Sequence, residues 1–158
     1  MTFITHHALV NNVDIAFWRE RFADAKTVLV CVHGWPESKR IFSRVVGPLR
    51  DAGFEVIYTG LFQTPDTVAA AAIDEDVDAI GLSMLSGAHM TLAPRVVQKL
   101  RDRGADIPVI VGGIIPVPDV PKLREAGVAG VITPGSTAEE VIAMVRAVID
   151  QHIAQGRV

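Results

Sequence analysis

The sequence predicts one α/β domain built in three layers, a parallel sheet with helices on both faces. Three observations predict it. A chain of 158 residues is long enough for one domain with a sizeable core. Its composition, 49% hydrophobic but only 6% aromatic, is dominated by Val, Ile, Ala and Gly, as strands buried on both faces require. From Thr27 onward, short β-branched apolar runs alternate with helical patterns, the signature of βα units with right-handed crossovers.

The elements follow in order. Strands are expected at 27–33, 54–59, 77–83, 107–112 and 128–133, each a short continuous apolar run. Helices are expected near 38–52, 65–75, 90–103, 118–126 and 137–154. Thr64-Pro65 reads as an N-cap followed by proline at the first helical position. Gly53, Gly104 and Gly127 each follow a helix, where a left-handed cap is wanted. Pro48 falls inside the first helix, where it removes a hydrogen bond and should kink the chain. Ahead of Thr27, Val13, Ile15 and Phe17 alternate, and Asn11-Asn12 suits a two-residue turn, so an antiparallel hairpin is expected near 4–10 and 13–20. An amphipathic helix over 14–24 is the competing reading.

The charge balance excludes some function classes. A net charge of −3 gives no global attraction to nucleic acid or anionic membranes. The single Cys31 rules out an internal disulfide framework and suits a reducing cytoplasm. No apolar run reaches spanning length, and "MTFITHHALVNN" lacks a signal-peptide layout. His6, His7 and His152 lack metal-ligand spacing and read as solvated side chains, so no metal site is expected.

Two resemblances sharpen the expectation. "GLFQTPDTV", "VDAIGLSMLSGAHMTLAPRVVQKL" and "VIVGGIIPVPDVPKLREAGVAGVITPGST" resemble the cobalamin-binding domain of the methylmalonyl-CoA mutase family over residues 54–158. The resemblance implies a flavodoxin-like sheet of five parallel strands in the order 2-1-3-4-5. It also implies a crevice for the cofactor's dimethylbenzimidazole nucleotide tail, lined by Ser83, Leu85, Gly112, Gly113, Pro134, Gly135 and Ser136. Glycines let backbone approach a flat ring, and a serine hydroxyl can bond a ring nitrogen. These positions fall at the carboxyl ends of strands, where open α/β sheets bind ligands. The family's cobalt-ligating histidine, from a D-x-H-x-x-G loop, has no counterpart. The matching loop reads Trp35-Pro36-Glu37-Ser38-Lys39-Arg40-Ile41, with Ser38 at the ligand position.

Residues 1–56 resemble instead the start of an α/β-hydrolase of the epoxide-hydrolase type, through His33-Gly34-Trp35-Pro36-Glu37-Ser38 and then Ala52-Gly53-Phe54-Glu55-Val56-Ile57. In that family the turn supplies oxyanion-hole N–H groups, so His33, Gly34 and Trp35 stand as an oxyanion-like loop. Together the resemblances imply a chimera spliced around 50–57, more in keeping with an engineered chain than a natural one, with the hairpin extending the sheet beside 54–59.

Neither mechanism is complete on this reading. "IGLSML" approaches a nucleophile elbow at Ser83, but Leu85 stands where the elbow needs glycine. Asp119 is the one carboxylate in the later loops, with no histidine there. His89 reads as a surface or corrin-rim residue. The leading expectation is therefore a single-domain chimera without turnover, with no catalytic residue and no cofactor bound. Cobalamin is possible but weak, because Phe42 and Val45 of a hydrolase-derived helix would overpack the tail crevice. Any cobalamin bound would then keep its own base on cobalt. Two alternatives stand beside this: a cobalamin-binding accessory subunit of an acyl-CoA carbon-skeleton mutase, and a weak serine hydrolase using Ser83.

Overall fold

The computed structural model describes residues 5–10, 13–19, 27–33, 43–59 and 63–156. Five parallel strands form its centre: β3 (Thr27–His33), β4 (Phe54–Tyr58), β5 (Ala79–Met84), β6 (Val109–Gly113) and β7 (Gly130–Ile132). Burial along β4 and the start of β6 is continuous rather than alternating. All five residues of β4 and the first three of β6 are buried, as a sheet covered on both faces demands. Strands β1 (Thr5–Val10) and β2 (Val13–Arg19) pair antiparallel, and β2 meets β4 through Trp18↔Tyr58 and Arg19↔Ile57. Across the sheet the order is β1-β2-β4-β3-β5-β6-β7.

Helices α1 (Ser43–Asp51) and α5 (Ala138–Ala154) cover one face. Leu49, Val145 and Val148 pack there against Val56, Ala79 and Ile110. Helices α2 (Pro65–Asp74), α3 (His89–Asp102) and α4 (Val120–Glu125) cover the other. On that side Val68, Val97, Leu100 and Leu123 meet Ile80, Leu82 and Val111. Each such aliphatic side chain contributes about 1.5–3 kcal/mol on full burial, and these two apolar layers hold the strand ends in place.

Local signals set the helix ends. Thr64 caps α2 through a reciprocal box with Thr67, and Pro65 takes the first helical position, where its missing N–H costs nothing. Gly53, Gly104 and Gly127 end α1, α3 and α4 with φ of +92°, +72° and +96°. Pro48 lies inside α1, yet its carbonyl still accepts from the Ala52 N–H at 3.0 Å. Residues 38–42 of the expected first helix lie outside the described residues. The helix expected over 118–126 is in fact a 3₁₀ turn, Val117–Asp119, leading into α4. Pro118 and Pro121 sit in the first positions of those two short elements, where a missing donor is tolerated. Among the described residues, no helix is long and apolar enough to cross a membrane.

Candidate functional site

The strand register brings small residues together at the carboxyl edge. His33 pairs with Ser83, Ser83 with Gly112, and Gly112 with Ile132, so four strand ends share one cross-strand row. Alternation places Ser83, Gly112 and Ile132 on the α1/α5 face, because Ala79 and Ile110, of the same parity on their strands, belong to that core. Gly81 lies one step below, between Cys31 and Ile110. Near the carboxyl edge, then, β5 and β6 present two glycines and a serine where the lower sheet presents Ala79 and Ile110. A Cβ added at Gly112 would meet only Ile132, at 3.7 Å, so room remains above that strand.

Gly113 is required for a different reason. Its φ is +117°, and a Cβ there would stand 2.1 Å from the Met84 carbonyl oxygen. The Ile114 N–H donates to the same carbonyl at 3.2 Å, closing the β5 and β6 ends together. Ser83 and Leu85 are half-buried. Pro134, Gly135 and Ser136 are exposed in the turn ahead of α5, where the Ser136 hydroxyl donates to the Thr133 carbonyl at 2.9 Å. Thr137 then caps α5 in a box with Glu140. The tail-crevice candidates thus divide into a central group on β5 and β6 and an outlying turn whose hydroxyl is already engaged. Gly34, Trp35, Pro36 and Ser38 lie outside the described residues, and His33 enters only through its strand pairing.

The structure pairs two residues that sequence reasoning kept apart. His89 opens α3 and is 3% exposed, and its Nε2 lies 3.0 Å from Asp119 Oδ2. Lys122 holds the other carboxylate oxygen at 3.0 Å. Hydrogen bonds from His89 and then Lys122 lower the Asp119 pKa below the ordinary carboxylate range. His89 is therefore neither a surface residue nor free, and Asp119 does have a histidine partner. No spacing rule links positions thirty residues apart, and no local pattern in the sequence marks the pair. His152 also differs from its solvated reading, being half-buried and hydrogen-bonded to the Asp106 carbonyl.

Past the carboxyl ends of β4 and β5, buried polar atoms lack partners. Thr59 Oγ1, just past β4, and His89 Nδ1 are both enclosed and unbonded. Among the described residues, no group of three His, Cys, Asp or Glu is placed to hold a metal. Ser83 has no general base in place: His89 Nε2 faces Asp119, and its Nδ1 makes no hydrogen bond to Ser83 or to any other group. A cavity of about 300 Å³ opens at the opposite, amino edge, between Arg101, Arg124, Gly127 and His152. The ends of α3, α4 and α5 converge there with outward carbonyls, and ligands of open α/β sheets bind at the other edge. The carboxyl edge is accordingly the candidate site.

The chain also matches known proteins in sequence and in fold. A family profile, the B12 binding domain, matches residues 40–143. The small subunit of 2-hydroxyisobutanoyl-CoA mutase from Aquincola tertiaricarbonis is 42% identical over 106 residues, covering 66% of this chain and 78% of that subunit. A methylmalonyl-CoA mutase from Cereibacter sphaeroides is 36% identical over 138 residues, covering 84% of this chain but 20% of that enzyme. A cobalamin-binding protein from Desulfitobacterium hafniense shares the fold, with a TM-score of 0.63 at 18% identity over 79% of this chain and 60% of that one.

These matches correct the expected chimera. The profile begins at residue 40, ahead of the junction expected at 50–57, and takes in all of α1. The 138-residue alignment is longer than the stretch from 54 to 158. Neither a hydrolase-derived segment nor an engineered splice is supported, and the oxyanion-like reading of His33, Gly34 and Trp35 loses its basis. With α1 inside the matched region, the argument that its side chains were never fitted to the crevice also falls away. From a matched sheet, matched helices on both faces and a glycine-lined carboxyl edge, one conclusion follows: this chain belongs to the B12 binding domain family.

Proposed function

We propose that this chain is a cobalamin-binding accessory subunit of an acyl-CoA carbon-skeleton mutase. The observation that carries the reading is the open row of Ser83 and Gly112 at the carboxyl edge. The chain's likeness to a mutase small subunit over 78% of that subunit supports the accessory role. Cobalamin, when bound, supplies the rearrangement chemistry, and a partner subunit would hold the acyl-CoA.

The residues at this edge suit the group. Gly112 leaves space for the flat dimethylbenzimidazole ring against the sheet, with α1 and α5 as walls. The Ser83 hydroxyl can donate to a ring nitrogen, and Leu85 borders the same strand end. Gly113 fixes the strand ends so that Ser83 and Gly112 stay in register. Gly135 and Ser136 shape the far turn. Ser38 at the family's ligand position offers no imidazole, so burial of the tail must by itself offset the tail's lost bond to cobalt. Affinity is accordingly lower than that of a relative bearing the histidine.

Titration of the purified chain with adenosylcobalamin, followed by absorbance and calorimetry, tests the proposal. Saturable one-to-one binding with a base-off spectrum is expected. Absence of binding at millimolar cofactor would refute it. Binding with the base still on cobalt would mean that the corrin is held while the tail crevice stays empty.

A further inference from the structure

We infer that His89 is a positioning residue of the cofactor crevice, acting through Asp119 to hold the loop after β5 against the loop after β6. The inference rests on the cobalamin reading above and adds the device that keeps the crevice at one width.

The two loops leave neighbouring strands and would otherwise diverge. One carries Leu85 from Ser83 into α3, and the other runs from Gly112-Gly113 into α4. The last backbone link between them is the Ile114 N–H to the Met84 carbonyl. Beyond it, the His89–Asp119 bond joins them. Asp119 occupies the N-cap position of α4, where an aspartate ordinarily accepts from its own helix. Here it makes no such cap, and its two oxygens reach His89 and Lys122 instead. The start of α3 is equally without a side-chain cap, Ala88 preceding it. Two helix starts therefore give up local capping for one bond between chain segments thirty residues apart.

The chemistry of the ring supports the same reading. A carboxylate only accepts, so His89 Nε2 carries the proton toward Asp119. Nδ1 is then buried and unbonded. An apolar side chain would fill this interior position without that penalty. A histidine kept there at a cost is accounted for by the link it makes across the loops. His89 touches neither the reacting centre nor the tail in this account; it sets where Ser83 and Gly112 stand.

The test uses the full chain and the variants His89→Gln, His89→Ala, Asp119→Asn and the double variant His89→Ala/Asp119→Ala. Adenosylcobalamin affinity is measured by calorimetry, and amide exchange at 84–86 and 113–115 is measured without cofactor. Loss of the bond is expected to weaken binding roughly tenfold, with the double variant no worse than His89→Ala alone. Asp119→Asn keeps an acceptor oxygen and is expected to retain most of the affinity. Exchange at both loops should rise in His89→Ala and in the double variant, and stay near wild type in His89→Gln, whose amide N–H can still donate to Asp119. Unchanged exchange in a folded His89→Ala or double variant overturns the inference whatever the cofactor does. Wild-type affinity in His89→Ala overturns it as well. A wild-type chain that binds no cobalamin sinks the functional reading, and the exchange arm then decides the loop link alone.

Discussion

Gly113 and the Met84 carbonyl approach so closely that a single methyl group could not stand between them: a Cβ would lie 2.1 Å from the oxygen, on a backbone with φ of +117°. Gly113→Ala is therefore expected to destabilise the fold by about 1–3 kcal/mol from the backbone strain alone, with the clash added. Gly112→Ala is the matched contrast. Its new methyl meets Ile132 at an ordinary distance, so stability should change by less than about 1 kcal/mol. That methyl would nevertheless occupy the crevice and weaken cobalamin binding. Urea unfolding of both variants checks the first pair of outcomes, and titration checks the last.

Removing the Ser83 hydroxyl separates the cofactor reading from the hydrolase one. A hydrogen bond to the tail is worth about 0.5–1.5 kcal/mol, so Ser83→Ala should weaken adenosylcobalamin by up to about tenfold. With no base placed to activate it, the same variant should leave any trace esterase activity unchanged. A stoichiometric acyl burst lost in Ser83→Ala would restore the hydrolase alternative.

The missing imidazole can be put back. Ser38→His returns a ligand to the position that the family uses, and Pro36→Asp returns the carboxylate that would orient it. The double substitution should strengthen binding at least about tenfold over the wild type, since orienting partners alone are worth 10- to 100-fold at metal sites. Ser38→His without Pro36→Asp should fall between. Equal affinities across the three proteins would mean that the 35–41 loop does not lie beneath the cobalt.

Acid should loosen the link between the two loops. The Asp119 pKa is depressed in the folded chain by its bonds from His89 and Lys122. Its contribution to stability is thus present above the unfolded carboxylate value and is lost as pH falls through the folded one. The stability gap between wild type and Asp119→Ala should be constant above about pH 5 and shrink below about pH 4. Urea midpoints measured across that range report it. A gap that widened toward low pH would contradict the assignment.

Much of the layer structure was legible because buried parallel strands announce themselves as unbroken apolar runs. Phe54–Tyr58 falls within the run expected at 54–59, and Val109–Gly113 overlaps the one expected at 107–112 and ends one residue beyond it. Thr64-Pro65 and the three terminal glycines marked helix ends through local chemistry that tertiary packing did not override. Pro94 passed unnoticed inside α3, since a long amphipathic pattern outweighs one lost donor. The His89–Asp119 pair was illegible because it joins two loops, and periodicity says nothing about loops. The hydrolase resemblance misled through six residues around His33: a short motif matched another family while the longer alignment ran through it.

Gly112 serves the carboxyl edge by what it lacks. On the function proposed, a site made largely of missing side chains would be held as a shape, and most substitutions around it would leave that shape alone. Such a slot would sort candidate rings by thickness and width before any polar group was compared. Added charge nearby would leave it working, whereas the smallest gain in bulk on the strand would end it.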